Sequence, residues 1–476
     1  MPYHTTPWTF YDAAVGLCSQ CLRRVQGRIV FENDKVWFDK RCPTHGRERV
    51  LLDEDIAWFR RGREGYLDPG GQPNQPGAPA RHGCPYDCGL CPEHQQHTCV
   101  AILEITDACN LTCPVCYAAS GPHRQTHRSL AEIDAMLAAV MRSEDSLNVL
   151  QISGGEPTLH PDFFAIVERT REFPIKHLMV NTNGIRIARD RAFAERLAAC
   201  KPHFEVYLQF DSLRGDRLKV LRGEDLTRDR DRALAVLEEL GVSTSLVVTL
   251  VPGVNDDEIG DILRHALTFR CVRGVTLQPM QAAGRTPALG PDVERLTSGG
   301  VRRRILEQCD VFRPEDIVPV PCHSDSLAMA YAFKVMGAVA PLSSILDPTI
   351  LLASDRNSLL YEHDRELGRK LYDAFSARHS PSSHTAALRE LLDCLPDAGC
   401  LGPLTYENVF RLMIIQFMDA ASLELRAVQR SCIHIIHPDG RLVPFDTFNV
   451  LHRPGNETAL AGALEASGIR ATGGEA

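Results

Sequence analysis

Between residues 100 and 285 a strand-like apolar run and a helix-like run follow one another six times. Parallel strands need a crossover, usually a helix, to return to the same end of a sheet, so this alternation predicts a parallel sheet covered by helices. The strands are read at residues 100–106, 147–153, 176–181, 204–210, 243–250 and 272–279. Ser129 with Glu132, and Asn255 with Glu258, have the spacing of a helix N-cap followed by a carboxylate three positions on. Six such units make a partial (β/α)6 barrel of the α/β class.

The flanks have a different texture. Residues 70–79 (GGQPNQPGAP) are a Gly/Pro linker without apolar periodicity. Residues 1–69 are therefore read as a small metal-knuckle ribbon, 70–99 as linker plus a cysteine-rich segment, 100–286 as the barrel and 287–476 as a helix-rich C-terminal substrate domain. Within the last unit, residues 406–421 read as a helix rich in Leu, Ile, Met and Phe. Its apolar positions, Leu412, Ile414, Ile415, Phe417 and Met418, suit an ordinary core or the wall of a lipid channel. Residues 432–448 read as a hairpin turning at Pro438-Asp439-Gly440. The small-residue tail from Gly455 is expected to be loosely ordered.

Chemistry is concentrated in the cysteines. Ten of the seventeen fall in the first quarter of the chain, at spacings typical of metal ligands. The first sixteen residues lack the basic start and apolar run of a secretory signal, so a cytoplasmic location is expected, where thiols stay reduced and a disulfide framework is excluded. No stretch approaches the roughly 18 apolar residues of a membrane span, which leaves at most peripheral contact with a membrane. A net charge of -9 gives no basic footprint for nucleic acid.

Cys109-Asn-Leu-Thr-Cys113-Pro-Val-Cys116 places three thiolates on one short loop after the first barrel strand. Three thiolates can hold three irons of a cubane and leave the fourth open, whereas a closed zinc or cluster site wants four ligands. An open iron can chelate the amino and carboxylate groups of S-adenosylmethionine. The alternative is a zinc knuckle that borrows a ligand from elsewhere. Ligands collect at the carboxyl ends of barrel strands, and polar groups stand there in order. Gly154, Gly155, Glu156 and Pro157 end the second strand, the glycines admitting close backbone approach and Glu156 able to accept from an ammonium group. Asn181 and Asn183 end the third, Gln209 and Asp211 the fourth, and Gln278 the sixth. Each alone is an ordinary turn; their joint order is not.

Upstream, Cys84, Cys88, Cys91 and Cys99 lie within sixteen residues and can close an auxiliary iron-sulfur cluster, with zinc as the rival. His94 and His97 are read as loop or substrate-facing residues. Cys18, Cys21, Cys42 and His45 form two knuckles able to pinch one tetrahedral ion, zinc for this donor set, or a rubredoxin-like iron if another thiolate replaces His45. Cys200, Cys271, Cys309, Cys394 and Cys400 are solitary and read as small apolar residues.

The order CNLTCPVCY, SGGEP and NTNG within a six-unit βα array resembles the radical S-adenosylmethionine superfamily. That resemblance implies a [4Fe-4S] cluster at Cys109, Cys113 and Cys116, cleavage of S-adenosylmethionine to a 5′-deoxyadenosyl radical, and hydrogen abstraction from substrate. It implies an electron donor such as ferredoxin or flavodoxin. Val115 departs from the aromatic residue many members carry before the third cysteine, which changes packing near adenine rather than ligation. The longer order of ribbon, GCPYDCGLCPEHQQHTC and CNLTCPVCYAAS resembles the tetraether lipid synthases and their bacterial relatives, also described as radical pterin methyltransferases. The stretches 278–285, 320–322, 416–419, 432–434 and 438–441 share in this likeness. Members of that group place a further four-cysteine cluster in the C-terminal part. Here Cys322 and Cys432 remain, but Ser326 and Asp446 stand where the other two thiolates are implied, hard ligands that hold a soft cluster poorly.

The first functional expectation is a radical enzyme that forms a carbon-carbon bond at an unactivated carbon, on a lipid chain as the resemblance suggests. The second is a radical methyltransferase or modifier of a small molecule such as a pterin, which loss of a C-terminal cluster mildly favours. A metal-binding scaffold without catalysis is the third, and the three-cysteine loop speaks against it.

Overall fold

A computed structural model describes residues 6–65, 73–286, 295–335, 338–344 and 408–469. Four N-terminal strands, β1 (Thr9–Leu17), β2 (Arg24–Glu32), β3 (Lys35–Cys42) and β4 (Gly46–Asp53), form an antiparallel sheet in sequence order. Phe38, Ile29 and Val36 are buried on one face of it. The helix α1 (Ile56–Gly65) follows, and its buried Arg63 pairs with Asp325 and Glu424, which ties the ribbon to the C-terminal part of the chain.

The six expected barrel strands are present as β5 (Val100–Thr106), β6 (Leu147–Gly154), β7 (Ile175–Thr182), β8 (Phe204–Gln209), β9 (Thr244–Leu250) and β10 (Val272–Pro279), each parallel to the next. The helices between them include α2 (Leu130–Ser143), α3 (Phe163–Thr170), α4 (Ile185–Arg189), α5 (Arg191–Ala198), α6 (Gly215–Arg222), α7 (Thr227–Glu239) and α8 (Ile259–Thr268). Strand side chains alternate: Leu178, Val180, Val206 and Leu208 meet helix residues such as Leu137, Phe163 and Leu237, whereas Met179 and Tyr207 face the concave side. Ser129 and Glu132 make the expected capping box of α2. Asn255 does not cap α8, which starts at Ile259. Its side chain instead accepts from the Val251 N–H and donates to the Asp211 and Thr249 carbonyls, fastening the loop after β9.

After α9 (Ser298–Gln308) the chain returns to strands: β11 (Val318–Pro319), β12 (Leu327–Val335), β13 (Ala338–Pro341), β14 (Val409–Ile415), β15 (Ile433–Ile436) and β16 (Leu442–Pro444). β14 runs parallel to β10, and β15 parallel to β5, at the two ends of the six-strand run. The parallel run thus has eight strands, and among the described residues no ladder joins β14 to β15, so the sheet stays open. This corrects the expected helix over residues 406–421. Phe410 to Ile415 is buried on both faces, Arg411 included, and the apolar run Leu412 to Ile415 is too short for a period to separate strand from buried helix. In the described part from residue 295 onward, helices such as α9 and Glu457–Ala466 alternate with strands that extend the barrel sheet.

The 432–448 hairpin is present, with β15 and β16 antiparallel and Gly440 at φ 90° in the turn. The expected loose tail contains a helix, Glu457–Ala466, which places Ala463 in the core. Residues 73–79 of the linker carry neither strand nor helix but are tied down by Asn74 N–H to the Ser143 carbonyl and Gly77 N–H to the Leu90 carbonyl. Cys394 and Cys400 lie outside the described residues.

Candidate functional site

Cys109, Cys113 and Cys116 occupy the loop after β5, at the carboxyl rim of the sheet. Two neighbours shape this loop from opposite sides. A Cβ on Gly154 would stand 2.2 Å from the Thr106 carbonyl oxygen, and one on Gly155 2.2 Å from that of Ala108. The glycine pair therefore admits the cysteine loop itself, through Gly155 N–H to Thr106 O and Glu156 N–H to Ala108 O, both at 2.8 Å. From the other side Cys116 and Arg285 exchange backbone hydrogen bonds of 2.8 and 2.9 Å, and Arg285 donates through Nη2 to the Ser120 carbonyl.

The expected site residues divide into two groups. Gly154, Gly155, Glu156, Asn181, Asn183, Gln209 and Gln278 line one cavity together with Cys109, Cys113 and Cys116. Pro157 does not; it is buried as the first residue of a short 3-10 turn. Asp211 does not either. Its fully buried carboxylate is held between Arg222 and Arg230, at 2.5 and 2.9 Å, and accepts from the Thr249 N–H. Those guanidiniums hold it below the ordinary carboxylate range against the opposing pull of burial. Glu156, expected to meet an ammonium, is engaged by four protein donors: the Thr158 N–H and hydroxyl, the Thr182 hydroxyl and the Asn183 N–H.

The amides form a relay along the rim. Asn181 donates to the Ser153 hydroxyl and accepts from Gln209, and Gln209 accepts from Arg222. Arg222 also faces Cys113. Sequence reading missed Arg222, Arg285 and Phe445 as lining residues and had Phe417 as core or channel wall; all four line the cavity. Arg285 lay in a noted stretch, and Arg222 had no signal beyond its place at the end of a helix.

Beneath the rim the cavity continues into the concave side of the sheet. Val149, Met179, Met413, Ile415 and Ile433 give this chamber apolar walls, and Tyr117, Tyr207, Phe417 and Phe445 aromatic ones. Phe417 and Phe445 stack with centroids 3.9 Å apart. Deeper in the same strands, Glu205 pairs with Arg411 and His177, which hold its carboxylate low despite complete burial.

Burial pushes the Cys109 thiol up to about 12, with Glu156 and the other two cysteines adding to the rise. Thiolates in this loop therefore call for cationic charge beside them, and three soft donors on an otherwise uncommitted loop fit a cubane with one open iron.

In the N-terminal ribbon, Cys18, Cys21, Cys42 and His45 bring their ligand atoms within 4.8 Å of one another. His45 Nδ1 lies 3.4 Å from Cys18 Sγ and 3.6 Å from Cys42 Sγ, the edges of a tetrahedron around one ion. The upstream set is partitioned differently from the expectation. Cys84, Cys88 and Cys91 are mutual neighbours, with His452 and Thr447 against Cys88. Cys99 turns to Cys322 and Cys432. A signal for this was present: Cys84-x3-Cys88-x2-Cys91 repeats the spacing of Cys109-x3-Cys113-x2-Cys116, whereas Cys99 stands apart.

Residues 103–266 match the family model of the radical SAM superfamily, and residues 10–54 that of the HMPTM N-terminal zinc ribbon domain. The chain is similar to 7,8-dihydro-6-hydroxymethylpterin dimethyltransferase of Methanocaldococcus jannaschii, 28% identical over 95% of this chain and 96% of the relative. It is also similar to GTP 3′,8-cyclase of Alkaliphilus metalliredigens, 28% identical over 51% of this chain and 73% of that relative. Among solved structures, SuiB of Streptococcus suis bound to S-adenosylmethionine aligns at 16% identity with a TM-score of 0.36, covering 44% of this chain and 47% of that one.

Proposed function

Since the chain is a radical SAM enzyme that uses a [4Fe-4S] cluster and S-adenosylmethionine, we propose that it is a radical transferase modifying a carbon of a small, flat, pterin-like molecule. The observation that carries this reading is the make-up of the chamber beside the three-cysteine loop. Asn181 and Gln278 each spend one amide N–H on the protein, on Ser153 and on the Tyr207 hydroxyl, and carry a second at its mouth, while the stacked Phe417 and Phe445 offer an aromatic face. A heteroaromatic ring needs both. The end-to-end similarity to a pterin dimethyltransferase supports the same substrate class.

In this reading Cys109, Cys113 and Cys116 hold the cluster, and Cys84, Cys88 and Cys91 hold an auxiliary one. Gly154, Gly155, Asn183 and Gln209 flank S-adenosylmethionine, while Asp211 acts at one remove by positioning Arg222. Bound there, the cofactors would supply the radical chemistry that takes one hydrogen atom from substrate. The protein's own part is to orient the substrate carbon and to keep water out, for which the apolar walls below the rim are suited. An electron donor of the ferredoxin or flavodoxin class supplies the reducing equivalent.

Carbon-carbon bond formation on a lipid chain is the second reading, favoured by Val149, Met179, Met413, Ile415 and Ile433 in the deeper chamber. Deuterium transfer separates the two. Reduced full-length protein with S-adenosylmethionine is offered ring-deuterated 7,8-dihydro-6-hydroxymethylpterin or a perdeuterated acyl lipid. Deuterium in 5′-deoxyadenosine from the pterin alone is the expected result. Transfer from the lipid alone selects the second reading, and transfer from neither rejects both.

A further inference from the structure

The resemblance implies four thiolates for a cluster in the C-terminal part, and the residues present do not fit that closed set. Cys322 Sγ and Cys432 Sγ stand 3.4 Å apart, and Cys99 joins them with all three sulfurs within 4.8 Å of one another. Asp446, at an implied ligand position, accepts from the Met418 N–H and lies beside Cys88 instead. Ser326 supplies only a hard hydroxyl.

The spacing decides between a cluster and a single ion. Thiolates about 2.3 Å from one tetrahedral ion lie about 3.8 Å from each other, whereas a cubane puts each thiolate on a separate iron and spreads them. The ribbon shows the compact pattern, with Cys21 Sγ and Cys42 Sγ 3.8 Å apart. Among the described residues Cys109, Cys113 and Cys116 are not drawn into such a group. Cys99, Cys322 and Cys432 therefore follow the ribbon.

One histidine stands beside Cys99 but outside the three-sulfur group, so it reaches the fourth position only by turning toward Cys322 and Cys432. His97 Nε2 lies 3.9 Å from Cys99 Sγ, while Nδ1 faces Glu144 Oε2 at 3.5 Å. A carboxylate on one ring nitrogen fixes the tautomer that leaves the other as a donor to metal. Two further buried ring nitrogens nearby, His323 Nε2 and His434 Nδ1, have no hydrogen-bond partner.

We propose that Cys99, Cys322 and Cys432, with His97 as fourth donor, bind one tetrahedral metal ion of the zinc or ferrous class in place of an iron-sulfur cluster. The ion joins the segment before β5, the turn after β11 and the segment before β15. Cys99 N–H already donates to the Cys432 carbonyl at 2.9 Å, so the ion pins β15 to the edge of the parallel run.

Metal and sulfide content of the anaerobically purified full-length protein tests this, together with Cys432→Ser and His97→Ala variants. The proposal rests on cubanes at the other two cysteine triplets, so wild type should carry about eight acid-labile sulfides and two mononuclear ions. Cys432→Ser should lose one ion and no sulfide. About twelve sulfides in wild type, or loss of about four in Cys432→Ser, would show a cluster and overturn it. If Cys432→Ser does not fold, the wild-type sulfide count still decides. Cobalt bound in place of the native ions gives absorption bands that depend on the donor set. Bands unchanged by His97→Ala would remove His97 from the site.

Discussion

Arg222 donates to Asp211, Gln209 and Thr249 at once and also faces Cys113. Replacing it with Met leaves the buried Asp211 to Arg230 alone, a loss on the order of 3–5 kcal/mol for one partner of a buried pair. Arg222→Lys should recover part of the charge but not the fork that spans three acceptors. Denaturant midpoints should rank wild type, then Lys, then Met; equal midpoints would remove Arg222 from the rim's framework. Asp53 is a second informative residue. Buried against the N-terminus of α9, it accepts from the Gly299 N–H, and burial raises its pKa from 3.8 to about 7. In the unfolded chain it ionises near 4, so between about pH 4 and 7 the folded state holds the extra proton, and stability falls as pH rises through that window. Asp53→Asn should remove that fall, on the order of 4 kcal/mol at most. A wild-type profile no steeper than that of the variant would refute the assignment. Residues like these were not legible in the sequence. An isolated Arg in a helix or Asp at the end of a strand carries no pattern, whereas cysteine spacing does. That is why the metal-ligand types were readable but the partners of Cys99 were not: Cys322 and Cys432 are distant in sequence and meet it only through the sheet.

At the scale of elements, the cysteine loop and the turn after β6 form one packed unit. Gly155→Ala places a Cβ against the Ala108 carbonyl with no room to yield, so the loop must move. Iron content should fall by about four per chain while the ribbon metal is retained. Full iron content in that variant would show that the glycine serves some other purpose. The strand β14 makes a different prediction because its faces alternate. Leu412 and Ile414 pack on the helix side, while Met413 and Ile415 line the chamber. Leu412→Ala should cost about 2–5 kcal/mol of stability, whereas Met413→Ala should act more on substrate KM. A helical period in such a scan would contradict the strand. The six inner strands were legible because each is followed by a helix with its own period. β14 was not, being a short buried run without a clear period, and β15, legible as a hairpin arm, could not be assigned to this sheet because it enters from a distant part of the chain.

At the scale of the whole molecule, the pieces converge on one rim. The ribbon docks through Arg63, β14 and β15 extend the parallel run at both ends, and the three-cysteine loop overlooks the chamber these strands enclose. No described helix is long and apolar enough to cross a membrane. The central claim is that the loop at Cys109, Cys113 and Cys116 initiates radical chemistry. It is tested most directly by release of 5′-deoxyadenosine from S-adenosylmethionine in anaerobically reconstituted, dithionite-reduced protein. Wild type should release it and Cys113→Ala should not, with the ribbon metal unchanged in both. Equal release by the two proteins would contradict the account.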